Sequence, residues 1–98
     1  MVKFLFIYHG GEVPAEHLEQ NVADLWRWLD RLRDRGYETA RFVGNGGKTV
    51  RENAVLDYEG KVFGISVLEA DSFDEALALT EDWPELPYGG KIEILQAL

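Results

Sequence analysis

Between Phe4 and Tyr8 every side chain is apolar or aromatic, and this short run limits the folds open to the chain more than any other stretch. Its alternation sets Phe4, Phe6 and Tyr8 on one side and Leu5, Ile7 and His9 on the other, the period of a β-strand. A strand that is apolar on both faces has to be covered on both. The run is too short to span a bilayer and no small-residue cleavage site follows it, so it is expected to be neither anchor nor signal peptide.

The stretch Phe63–Leu98 supplies the unit against which that strand packs. Phe63, Ile65 and Val67 alternate with Gly64, Ser66 and Leu68, a strand running to Glu69 or Ala70. Ser66 is expected on the second face of the sheet. Ser72 precedes Glu75 by three residues, the spacing of a capping box, so a helix is expected to start there with Asp74 and Glu75 in its first turn. Pro84 disfavours the α conformation at Trp83 and sets the expected stop. Gly89-Gly90 then turns the chain into a last strand, in which Ile92 and Ile94 alternate with Lys91, Glu93 and Leu95. A strand, helix and strand of this length make half of a split βαβ domain.

The remainder completes the other half. After Gly10-Gly11 and Pro14 a long helix is expected, with Leu18, Val22, Leu25, Leu29 and Leu32 as its apolar stripe and Gly36 as its stop. His17, Asn21, Asp24, Trp28, Arg31 and Arg35 fall on a second stripe about 100° away. Thr39–Val43 reads as a strand, and Asn45-Gly46 suggests that Lys48–Leu56 turns back to pair with it. The fold class expected is α+β, a ferredoxin-like βαββαβ core with an inserted hairpin arm, forming one domain over residues 1–98. Both helices then cover one sheet face, and nothing in a chain of 98 residues is left to cover the other. Two sheets meeting face to face solve that problem, so a homodimer is the expected state.

Charge and composition exclude several functions. With 18 acidic against 10 basic residues the chain carries a formal charge of -8, which argues against nucleic-acid binding. Arg27, Arg31, Arg33 and Arg35 cluster, but Asp24, Asp30 and Asp34 are interleaved at neutralising spacings, the pattern of a solvated helix face. The absence of cysteine suits a cytoplasmic protein. Gly47-Lys48-Thr49 lacks the leading glycine and following helix of a phosphate loop, and Gly64–Leu68 lacks the second glycine of a nucleophile elbow. His9 and His17 match no metal-ligand spacing, so no metal and no cofactor are expected. Histidine is the side chain suited by type to general acid–base work, however, which makes these two the candidate groups: His9 at the end of the first strand and His17 at the start of the helix beside it.

The first strand Lys3-Phe4-Leu5-Phe6-Ile7-Tyr8, the run Glu69–Leu77, and Trp83-Pro84 followed by Gly89-Gly90-Lys91-Ile92-Glu93-Ile94 together resemble the YCII-related family, on the branch that carries a DGPF motif. That resemblance implies a dimeric α/β barrel of ferredoxin-like protomers and a small-molecule pocket holding a histidine–aspartate pair. His17 resembles the family histidine, and Asp57, in Asp57-Tyr58-Glu59-Gly60, stands where the branch has its DGPF and shares its aspartate. The implied activity is a cofactor-free lyase or isomerase: His17 as general base, Asp57 orienting it, His9 and Tyr8 lining the cleft. The alternative is a ligand-binding or dimerisation module that keeps the fold without the chemistry. Convergence of the histidines and Asp57 on one cavity separates the two.

Overall fold

The computed structural model describes residues 1–98. In chain order it runs β1 (Val2–His9), α1 (Ala15–Asp34), β2 (Glu38–Val43), β3 (Lys48–Arg51), β4 (Ala54–Asp57), β5 (Val62–Ala70), α2 (Phe73–Ala78), a single 3-10 turn (Leu86–Tyr88) and β6 (Lys91–Gln96). Four strands form an antiparallel sheet in the order β2-β5-β1-β6, the ferredoxin-like arrangement in which each βα unit returns to a non-adjacent position. The inserted β3-β4 hairpin is a separate two-stranded sheet.

The alternation in β1 is realised as its sequence requires. Phe4, Phe6 and Tyr8 are buried under the helices, opposite Leu68, Ser66 and Gly64 of β5. Leu5 and Ile7 point to the other side, across from Val67 and Ile65 on one flank and Leu95 and Glu93 on the other. That second face has no layer over it: Leu95 and Phe42 are 56% and 64% exposed. The core is completed by a pile of aromatic rings at the end of the sheet where β1 stops. Tyr8 stacks on Trp83 with centroids 5.6 Å apart, Trp83 on Phe63 at 6.2 Å, and Trp28 meets Tyr8 edge-on at 6.0 Å.

Four sequence expectations are corrected by packing. Lys48–Leu56 does not pair with β2. It folds on itself, with Val50 opposite Val55, because the two-residue turn at Glu52-Asn53 closes a local hairpin first, and the outer edge of β2 is left unpaired. The second helix ends at Ala78 instead of Trp83. Its N-terminus is the capping box expected, with Ser72 Oγ accepting from Glu75 N at 3.1 Å and Glu75 reaching back to Asp71 N. Beyond Ala78 the chain tightens into i→i+3 turns, Thr80 N to Leu77 O and Trp83 N to Thr80 O, which bring the Trp83 indole down into the aromatic pile.

The long helix is also rolled from its predicted orientation. Leu29 and Leu32 are buried as expected, but Leu18 and Val22 are exposed, and Asn21 and Trp28 of the second stripe are buried in their place. Trp28 explains the roll: its indole N–H donates to Asp82 at 2.9 Å while its rings fill the space above Tyr8, which a helix presenting only leucines would leave open. Finally, Ser66 lies on the helix-covered face, opposite Phe6, and not on the open one.

Candidate functional site

The roll of α1 opens a cleft of about 410 Å³ between the first part of the helix and the segment Asp82–Tyr88. The helix contributes His17, Gln20, Asn21, Asp24, Arg27 and Arg31, residues three or four apart that share one face. The opposite wall is Asp82, Pro84, Pro87 and Tyr88. That wall is held in place by local backbone geometry. Gly89 closes the 3-10 turn with φ 84, a left-handed conformation that glycine adopts without strain, and Glu12 N donates to Tyr88 O at 2.8 Å. A Cβ at Gly11 would run into the Tyr88 carbonyl, so the close approach of the β1–α1 turn to the wall depends on glycine there.

The polar groups of the cleft are unequally satisfied. Asp82 accepts from Trp28 Nε1 and, at 3.4 Å, from Arg31; Asp24 accepts from Gln20 at 2.8 Å and from Arg27 at 3.2 Å. Both carboxylates are thus engaged, whereas each guanidinium uses one of its five donors. Asn21 is 5% exposed as a residue and lines the cleft between the helix and the opposite wall. Its amide can both donate and accept, so it can meet a ligand that enters the cleft. His17 is exposed at the cleft, with its backbone N–H on Pro14 O and no carboxylate bonded to its ring. The site as a whole carries a surplus of hydrogen-bond donors, arranged to meet an acceptor-rich ligand.

Of the four site residues expected from sequence, His17 alone lines this cleft. Asp57 lies on the exposed arm, where it accepts from Lys48 Nζ at 2.6 Å, and the fold of the chain does not bring it to His17. His9 is on the open sheet face, its Nε2 2.5 Å from Glu93 of β6. Tyr8 is inside the core: its hydroxyl donates to Ser66 Oγ at 2.7 Å, and Ser66 donates in turn to Glu38, which is paired with Arg41. Burial pushes the Tyr8 phenol well above its ordinary value, so it stays protonated as the head of this internal relay. Strand alternation alone separates Tyr8 from His9, since neighbours on a strand face opposite ways.

Asn21, Arg27, Arg31 and Asp82 are the cleft residues that sequence reasoning missed. The signal for Asn21 and Arg31 lay in the second helical stripe, which also contains His17 and Asp24. Reading its charges as a solvated face hid the fact that a wall stands opposite. No three His, Asp or Glu side chains converge in the way a metal site requires.

No protein family and no curated protein matches the chain by sequence. Among solved structures the chain is similar to 5-chloro-2-hydroxyhydroquinone dehydrochlorinase of Burkholderia phenoliruptrix in complex with 2,5-dihydroxybenzoquinone: TM-score 0.60 and 16% sequence identity, over 97% of this chain and 93% of that one. The likeness shows a shared α+β fold, an antiparallel sheet with its helices on one face. The resemblance to YCII-related proteins is supported in the fold it implies, and no family model matches to carry it further. No helix is long and apolar enough to cross a membrane.

Proposed function

We propose that this protein binds a small anionic, oxygen-rich molecule in the cleft between α1 and Asp82–Tyr88, and acts on it as a cofactor-free lyase or isomerase with His17 as general base. The observation that carries the reading is the donor surplus: spare guanidinium N–H groups of Arg27 and Arg31 and the amide of Asn21 line the same cleft as His17. In this reaction His17 takes a proton from a carbon or hydroxyl beside a carbonyl, and the electron pair moves onto the substrate oxygen. The arginine and asparagine donors hold that oxyanion. Its collapse expels a leaving group in a lyase, or returns the proton at another atom in an isomerase. A solved structure of the same fold belonging to a dehydrochlorinase supports a reaction of the first kind. The chain is, on this reading, a divergent YCII-related protein of the cytoplasm that works as a homodimer through its open sheet face.

A second reading is favoured by one observation: the His17 ring has no carboxylate to orient it, and Asp57 is elsewhere. In that case the cleft binds its ligand without chemistry. A panel of small hydroxylated aromatic acids and lactones, screened by calorimetry and by turnover, separates the two. Catalysis predicts turnover that His17→Ala abolishes while ligand affinity and melting temperature are kept, and affinity that Asn21→Ala lowers by about tenfold. Affinity without turnover in the unaltered protein establishes the binding reading. Affinity unaffected by Asn21→Ala removes the cleft from consideration altogether.

A further inference from the structure

The β3-β4 arm has no packing partner in its own chain, although it carries the residues of a contact surface. All eight strand residues are exposed. Val50 and Val55 stand directly opposite each other at 77% and 66% exposure, an apolar pair flanked on the same face by the Lys48–Asp57 ion pair. A two-stranded hairpin is marginal in water unless something covers one face. The arm also expands the molecule: the radius of gyration is 14.6 Å, against about 12.6 Å expected for a compact chain of this length.

We propose that the arm is a clasp whose Val50–Val55 face packs into the groove at the base of the arm of a second copy of this chain. This rests on the homodimer reading above and goes beyond it. Three observations select a second copy as the occupant. First, the groove is on the page: about 280 Å³, lined on its apolar side by Phe42, Tyr58, Val62, Phe63 and Ile65. Second, it is continuous with the open sheet face, because Phe42 pairs with Ile65 across β2 and β5 and both line the groove. In a two-fold contact through the sheet faces the groove lies at the margin of the interface, and an arm that enters one copy's groove has its own groove entered in return, as an isologous interface requires.

The third is area and charge together. Four strands about 4.8 Å apart and about six residues long make a face of roughly 400 Å² in projection. A standard interface takes roughly 800 Å² of accessible surface from each partner, more than that projection although side chains roughen the face, so contact by the arms brings the pair closer to what a stable dimer needs. Each copy carries a formal charge of -8, which opposes association, but residues 48–57 hold Lys48 and Arg51 against Glu52 and Asp57 and are neutral. The arm is the part of the chain that approaches an acidic copy without adding repulsion.

The test is the dissociation constant by analytical ultracentrifugation, with amide exchange at Val50 and Val55 followed across the same concentrations. Gly47 O already accepts from Tyr58 N at 2.9 Å, so residues 48–57 can be replaced by two glycines without moving the ends. The clasp predicts that this excision, and Val50→Asp in the intact chain, each weaken the dimer by at least about tenfold, and that arm amides slow their exchange as the dimer forms. Should the excised chain fail to fold, Val50→Asp decides. Leu95→Lys on the sheet face is the control. If it splits the dimer while Val50→Asp and the excision leave the dissociation constant unchanged, the dimer stands and the clasp is wrong. A full chain that stays monomeric up to high micromolar concentration overturns both.

Discussion

Replacing Trp28 with Phe tests the interaction that rolls α1 and shapes the cleft. Phenylalanine keeps a ring against Tyr8 but removes the indole donor to Asp82, a bond of 2.9 Å, and the part of the indole that fills the space above the sheet. The lost volume, roughly 40 Å³, costs about 1 kcal/mol at about 24 cal/mol per Å³ left empty. The hydrogen bond adds about 1 kcal/mol, less than the roughly 1.5–3 kcal/mol usual with a charged partner, because water takes the place of the lost donor at an accessible carboxylate. Asp82 is indeed accessible, its side chain 66% exposed. Together these give about 2 kcal/mol, or a fall in Tm of roughly 8–16 °C for a domain of this size. Urea denaturation of Trp28→Phe, Asp82→Ala and the double variant should show a coupling of about 1 kcal/mol between the two positions. Additive losses within about 0.3 kcal/mol would mean the bond contributes nothing and that Trp28 rolls the helix by volume alone.

Two further outcomes follow from local chemistry. Ser72→Ala removes the acceptor for Glu75 N at the start of α2 and should destabilise the chain by about 0.5–2 kcal/mol in the same urea experiment; an unchanged midpoint would mean the cap is not stabilising. Glu85 is 6% exposed, one of its carboxylate oxygens is buried without a partner, and burial raises its pKa above the ordinary carboxylate value. The folded chain therefore holds this proton to higher pH than the unfolded chain, so ionising Glu85 costs stability as the pH rises above about 4.3. Glu85→Gln should raise Tm at neutral pH and lose that advantage in acid below about pH 4, where both states are protonated; an effect independent of pH would place its cause in packing.

Much of the architecture could be read from residues alone, for reasons that are local. The alternation of β1 and β5, the Ser72–Glu75 cap and the order of elements depend on periods and spacings that the chain carries wherever it goes, and the structure reproduces them. The open sheet face was legible too, because two apolar sets on one strand demand two covers, and the helices supply only one. What the sequence could not settle is which side chains win when two stripes compete for one surface. The leucine stripe of α1 and its neighbour differ by about 100°, and the choice between them rests on Trp28 fitting against Tyr8 and finding Asp82, a partner 54 residues away. The same choice buries Asn21 and turns a row of charges into the wall of a cleft. Tyr8, His9, His17 and Asp57 each look like site residues by type, yet only tertiary packing sends one into the core, one to the open face, one to the cleft and one to the arm. Periodicity determines which way a side chain faces along its own element; what stands opposite it is decided by contacts between elements distant in sequence, and the candidate site is made entirely of those.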